Sequence, residues 1–177
     1  FTGCDDEPEE TPGTGNVVII ENNITEPTTW YADSLYLIKK YDFYVQNSLT
    51  IQPGTIIKFH PTAGPYMMLS GTGTVIANGT DQLPIIFTSF KDDVHGGDTN
   101  KDGDATSPAR KDWGFICTNG ANGSSFKHCH FLYGGNYGYS YTLGIDAGSR
   151  ATVMNCTFAH NAGDDASGWY GALDCSS

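Results

Sequence analysis

Two stretches of the chain can be laid over one another. Phe126-Lys127-His128-Cys129-His130-Phe131 and Val153-Met154-Asn155-Cys156-Thr157-Phe158 share an x-Cys-x-Phe ending, with matching residues 27 apart (156 − 129 and 158 − 131). Each leads into a glycine-containing turn, Gly134-Gly135 in one case and Asn161-Ala162-Gly163 in the other. A second series, Gly114-Phe115-Ile116, Gly144-Ile145-Asp146 and Gly171-Ala172-Leu173-Asp174, steps by 30 and then by 27. Self-similarity at such a period marks stacked supersecondary units, each of which buries its apolar face only against the next. The units read as short β runs with no helical periodicity between them. The expected fold is therefore all-β, a parallel β-solenoid.

Composition supports this. The chain has 22 glycines and 10 tyrosines, with many Thr, Asn and Ser residues that suit short strands and sharp corners. No window carries apolar residues at i, i+3, i+4 and i+7 over three turns, so no long helix is expected. No stretch approaches ~18 consecutive apolar residues, so no membrane span is expected. Nine basic residues against twenty acidic ones give a net charge of −11. That stock of Lys and Arg is too small to neutralise nucleic-acid phosphates or to hold an anionic membrane surface. The compatible partners are cations, neutral glycans and other proteins.

Residues 1–16 read as a tether and 17–177 as one solenoid domain. Phe1-Thr2-Gly3-Cys4 resembles the end of a bacterial lipoprotein signal, in which a small residue precedes the cysteine that is lipidated. The acidic run Asp5-Asp6-Glu7-Pro8-Glu9-Glu10 is similar to the one that directs lipoproteins of the Bacteroides group to the outer face of the outer membrane. This resemblance implies lipidation at Cys4, attachment through a lipid anchor and display at the cell surface. Of the other cysteines, Cys129 and Cys156 should stack about 4.8 Å apart on adjacent strands. Their parallel Cβ directions suit thiols better than a disulfide, and Cys117 and Cys175 are likewise expected as small interior hydrophobes.

Leu49-Thr50-Ile51-Gln52-Pro53-Gly54-Thr55-Ile56-Ile57-Lys58-Phe59 reads as two strands joined by a Pro-Gly corner, Pro presetting φ and Gly taking positive φ. Together with Gly79-Thr80, Pro84-Ile85-Ile86-Phe87-Thr88-Ser89 and Asp112-Trp113-Gly114, it resembles the right-handed parallel β-helix proteins of bacterial cell surfaces. The resemblance runs from about Val17 to the end. It implies the fold, and a function among adhesins and carbohydrate-active proteins; it does not assign chemistry. Trp169 to Cys175 still reads as solenoid strand without a cap, so either a longer protein or end-to-end self-association is expected.

From Phe90 to Lys111 the β pattern stops, and a polar insertion this long is usually functional or disordered. It contains Asp98-x-Asn100-x-Asp102-Gly103-Asp104, the front half of an EF-hand-type loop. Oxygen donors at alternate positions converge on one cation and Gly closes the ring. The twelfth position is Ala109 instead of the bidentate Glu, so the missing carboxylate must come from Asp92, Asp93 or Asp112. The expected ion is calcium, held by Asp98, Asn100, Asp102, Asp104 and Asp112.

A second candidate surface is aromatic. Tyr133, Tyr137, Tyr139 and Tyr141 crowd one turn, and Trp169-Tyr170 enters the same region one coil later. Glycines between the tyrosines would leave flat rings free to stack on sugar faces. An enzyme is less supported. Asp146 and Asp174 fall at similar places on successive coils, and two carboxylates at suitable separation serve glycosidases. Yet the Gly-His-Gly and Arg-x-Lys elements of pectin-degrading β-helix hydrolases are missing from the chain. The expectation is a surface-displayed binding or adhesion module for glycans or another surface protein. The alternative is a fragment of a polysaccharide lyase or glycoside hydrolase.

Overall fold

The computed structural model describes residues 15–61, 66–70, 72–136 and 141–162, and the backbone of 173–175. Among these residues there is no α-helix. The strands of the first half are β1 (Asn16–Ile20), β2 (Thr28–Trp30), β3 (Ser34–Ile38), β4 (Asp42–Val45), β5 (Ser48–Ile51), β6 (Ile56–Phe59), β7 (Tyr66–Ser70) and β8 (Thr74–Asn78). Those of the second half are β9 (Ile85–Ser89), β10 (Ile116–Asn119), β11 (Asn122–Lys127), β12 (Cys129–Leu132), β13 (Leu143–Ile145), β14 (Arg150–Met154), β15 (Thr157–Ala159) and β16 (Leu173–Cys175).

They form three sheets: β1-β3-β6-β9-β12-β15, β4-β7-β10-β13-β16 and β2-β5-β8-β11-β14. From β3 onward, consecutive strands enter the first, second and third sheets in turn, so each circuit adds one strand to every sheet. The pairings are parallel. This stacked, all-β path is compatible with a parallel β-helix. The corners follow the expected chemistry: in Gln52-Pro53-Gly54-Thr55 the Thr55 amide donates to the Gln52 carbonyl, and Gly54 has φ of 84°.

The 27-residue repeat is a strand register. His130 pairs with Thr157, Phe131 with Phe158 and Leu132 with Ala159. The same left-handed corner recurs a coil later, at His128 and Asn155 with φ of 47° and 53°, and at Tyr133 and His160 with φ of 64° and 57°. The second series needs correction. Cys117 pairs with Gly144 and Gly144 with Asp174, so the steps are 27 (144 − 117) and then 30 (174 − 144). The glycine belongs opposite Cys117 because the Tyr141 ring lies against it: a Cβ on Gly144 would sit 2.5 Å from Tyr141 Cε2.

The core is built from side-chain rows that run across the sheets. Ile57, Phe87, Phe131 and Phe158 pair in sequence along the first sheet and face inward. Phe87, Phe131 and Phe158 stack face to face, at 5.0 and 4.9 Å between centroids. Cys129 is fully buried and Cys156 packs against the same core; with Cys117 they remain thiols, outside any disulfide.

The first sheet differs from the other two. Strands β4, β5, β7 and β8 alternate between buried and half-buried residues, whereas β6 and β9 are buried at every position. Their outward residues join Leu35, Leu37 and Leu132 in a second apolar cluster with Ile56 and Ile86.

Phe131→Ala removes the centre of the stack and should lower unfolding free energy by about 3–5 kcal/mol. Phe158→Ala, at a half-exposed position, should cost distinctly less. Urea unfolding of both variants checks the order; equal losses would contradict the burial gradient.

Candidate cation site and the adjoining cleft

The middle of the outer face of the first sheet is covered by the polar insertion between β9 and β10, which lies on it through specific contacts. Gly96, with φ of 79°, brings its backbone against the sheet so closely that a Cβ would sit 2.5 Å from Leu35 Cδ1. In the same face Lys58 is completely buried. Its Nζ donates to the Gly97 carbonyl at 2.8 Å and to Thr99 Oγ1 at 2.7 Å. Burial pulls the ammonium's pKa down to about 8, against the opposing influence of Asp92, Asp93 and Asp98.

Asp92 is buried beside this anchor and accepts from Thr88 Oγ1 at 2.6 Å, while His95 Nδ1 lies 2.7 Å from its Oδ2. Burial pushes the Asp92 carboxyl up, but the hydrogen bonds from His95 and Thr88 outweigh it and hold the pKa below the ordinary value.

The loop motif closes as its spacing suggests. Asp98 accepts from the Asp102 and Gly103 amides at 3.2 and 3.0 Å, and Gly103 takes φ of 61°. Thr106 links the next two positions, accepting from Asn100 Nδ2 and donating to Asp102 Oδ2. Asp93, from the start of the insertion, completes the group: carboxylate oxygens of Asp93, Asp98 and Asp102 all lie within 4.8 Å of one another. Asp93 Oδ1, Asn100 Oδ1 and Asp102 Oδ1 are shielded from solvent and accept no hydrogen bond from the protein. Buried acceptors are normally satisfied, and two of these three belong to residues of the carboxylate trio. Burial and then the charge of Asp98 push the Asp93 pKa up. The trio can therefore hold a metal ion, and an all-oxygen donor set selects a hard cation.

Asp112, expected among the metal ligands, lies outside the trio. Its carboxylate is occupied by Lys91 Nζ at 2.9 Å, Ser89 Oγ at 2.7 Å and the Ala109 amide at 2.9 Å. Asp104 is exposed and also lies outside the trio.

The aromatic surface is only partly within the described residues. Cys4, Tyr137, Tyr139, Trp169 and Tyr170 lie outside them. Tyr133 is half-buried, with its ring stacked on His160 at 5.4 Å. Tyr141 is buried, edge-on to Phe115, with its hydroxyl 4.0 Å from Cys117 Sγ. It therefore offers no open face to a sugar, because the ring fills the space beside Gly144. His128 occupies a corner where it meets Asp81 and Asn155, and His130 faces outward from β12.

Beside the cation group, sequence reasoning missed a cleft of about 460 Å³ between the insertion and the sheet. It is lined by Ile56 and Ile86 of the sheet, Leu83 and Pro84 of the preceding corner, His130 of β12, and 93–97 of the insertion. No protein-family model, curated protein or solved structure matches the chain.

Lys58→Met would leave the Gly97 carbonyl without its ammonium donor, so limited proteolysis should cut within 91–111 much faster in this variant. The pH dependence has a defined sign. With the folded-state pKa near 8 and the ordinary value at 10.5, the unfolded chain holds more protons between those limits, so this group's contribution to stability rises with pH there. Urea unfolding at about pH 7.5 and pH 10 should show a rise in the parent relative to Lys58→Met. Parallel profiles would contradict the buried, charged anchor.

Proposed function

We propose that the chain is a non-catalytic binding module whose surface insertion is organised by calcium. The observation that supports this most is the convergence of Asp93, Asp98 and Asp102, two of which, Asp93 and Asp102, carry a solvent-shielded oxygen that the protein leaves unpartnered. Calcium accepts six to eight oxygens in flexible geometry at 2.3–2.6 Å, whereas magnesium demands a near-ideal octahedron. A surface loop contributing carboxylates from two separate segments suits the former. The ion's role is structural: it neutralises mutually repelling acids and fixes the insertion over the sheet.

The wider reading is a right-handed parallel β-helix, the hand expected of parallel crossovers. It is held at the outer surface of the outer membrane by lipid on Cys4, where it binds glycans. The lipobox-like start and acidic run support the location, and the −11 charge favours neutral ligands over anionic ones. Among the described residues no helix is long and apolar enough to cross a membrane.

Adding calcium to chelator-treated protein should raise the melting temperature. At 100 times Kd the linkage amounts to about 2.7 kcal/mol. Asp93→Asn and Asp102→Asn should abolish the rise, and Asp112→Asn should retain it. No calcium-dependent shift at about 100 times a millimolar-range Kd would remove the ion from the account.

A further inference from the structure

The cleft between the insertion and the first sheet has the features of a built site. Its floor is a single row across three neighbouring strands, because Ile56 pairs with Ile86 and Ile86 with His130. Asp93 and His95 stand on the opposite wall, and the enclosed volume of about 460 Å³ falls within the range of small-ligand sites. His95 is fixed from behind by Asp92, a carboxylate only 1% exposed, at 2.7 Å. An ionised carboxylate can only accept, so Nδ1 carries the hydrogen in this contact and Nε2 is the nitrogen left for a ligand. A carboxylate behind an imidazole fixes its tautomer and ring orientation.

We propose that this cleft is a binding site for a neutral pyranose, with the exposed Leu83 and Val94 against the ring and His95 and His130 meeting its hydroxyl groups. The proposal rests on the glycan-binding reading and places the site at the insertion, away from the tyrosine turn. Three features select the ligand. The exposed aliphatic side chains of Leu83 and Val94 match the C–H face of a sugar ring, while hydroxyls, which both donate and accept, match imidazole nitrogens in either role. An anionic sugar would meet Asp93 and a chain of net charge −11, and an amine would compete with the cation for Asp93.

The test uses the full chain saturated with calcium and five probes. These are the methyl glycosides of glucose, galactose and mannose, with glucosamine and glucuronic acid as charged counterparts. Saturation-transfer NMR and titration should find at least one neutral glycoside bound with Kd of about 1 mM or tighter. His95→Ala and His130→Ala should each weaken it about tenfold, or 1.4 kcal/mol, while keeping the calcium-induced rise in melting temperature. Tyr31→Ala, at an exposed ring elsewhere, should bind as the parent does. Binding intact in both histidine variants but lost in Tyr133→Ala overturns the cleft and leaves the glycan reading standing. Binding of glucosamine alone overturns the neutral-ligand assignment. No binding of any probe by protein with a normal calcium response overturns both the cleft and the glycan reading.

Discussion

A parallel sheet buried on one face tolerates water on the other only if that outer face is polar, and the outer face of the first sheet is not. Leu35, Leu37, Ile56, Ile86 and Leu132 form an apolar surface there, and fully burying each such side chain contributes roughly 1.5–3 kcal/mol. The insertion supplies the cover. It can approach closely because residue 96 is glycine, whose positive φ is strained for other residues and where a Cβ would displace the Leu35 side chain. Lys58 lies in the same surface, and a buried charge is tolerable only with partners. Those partners are the Gly97 carbonyl and Thr99. The insertion is thus as much part of the fold as the strands.

This cover brings an electrostatic difficulty with it. Around the single ammonium of Lys58 the insertion gathers Asp92, Asp93 and Asp98, with Asp102 alongside Asp93 and Asp98. Asp92 is satisfied by Thr88 and His95. The other three face one another, and Asp93 is the member whose ionisation is made harder. A divalent cation would resolve that repulsion in place and would stabilise the same loop whose inner side roofs the cleft. Asp93 belongs to both the carboxylate trio and the cleft wall, so an ion bound there would couple loop order to cleft shape.

Much of this fold was legible in the chain because a stacked repeat writes its register into the spacing of identical residues. Phe131 and Phe158 align by eye and pair in fact. The glycine series misled because like residues were matched without their neighbours: Gly144 answers to the Tyr141 ring, not to Gly114. The same packing explains Tyr141, which was expected as a free ring but is buried against Phe115 and Gly144. In the cation group, Asp98, Asn100 and Asp102 were visible through their alternation, since local backbone geometry sets them. The remaining ligand was not. Asp93 and Asp112 are equivalent in sequence terms, and only the path of the loop puts one in the group and the other against Lys91. Lys58 could not have been read at all, because its partner Gly97 lies 39 residues away.

The central claim is that the insertion is an ordered cover whose loop is fixed by a cation. Backbone hydrogen exchange, followed peptide by peptide in calcium-loaded and chelator-treated protein, tests it most directly. Calcium should slow exchange across residues 92–103 and leave the second and third sheets unchanged. The sheet-facing strands β6 and β9 should stay protected in both states. Fast exchange throughout the insertion in both states would contradict the account, as would equal protection with and without the ion.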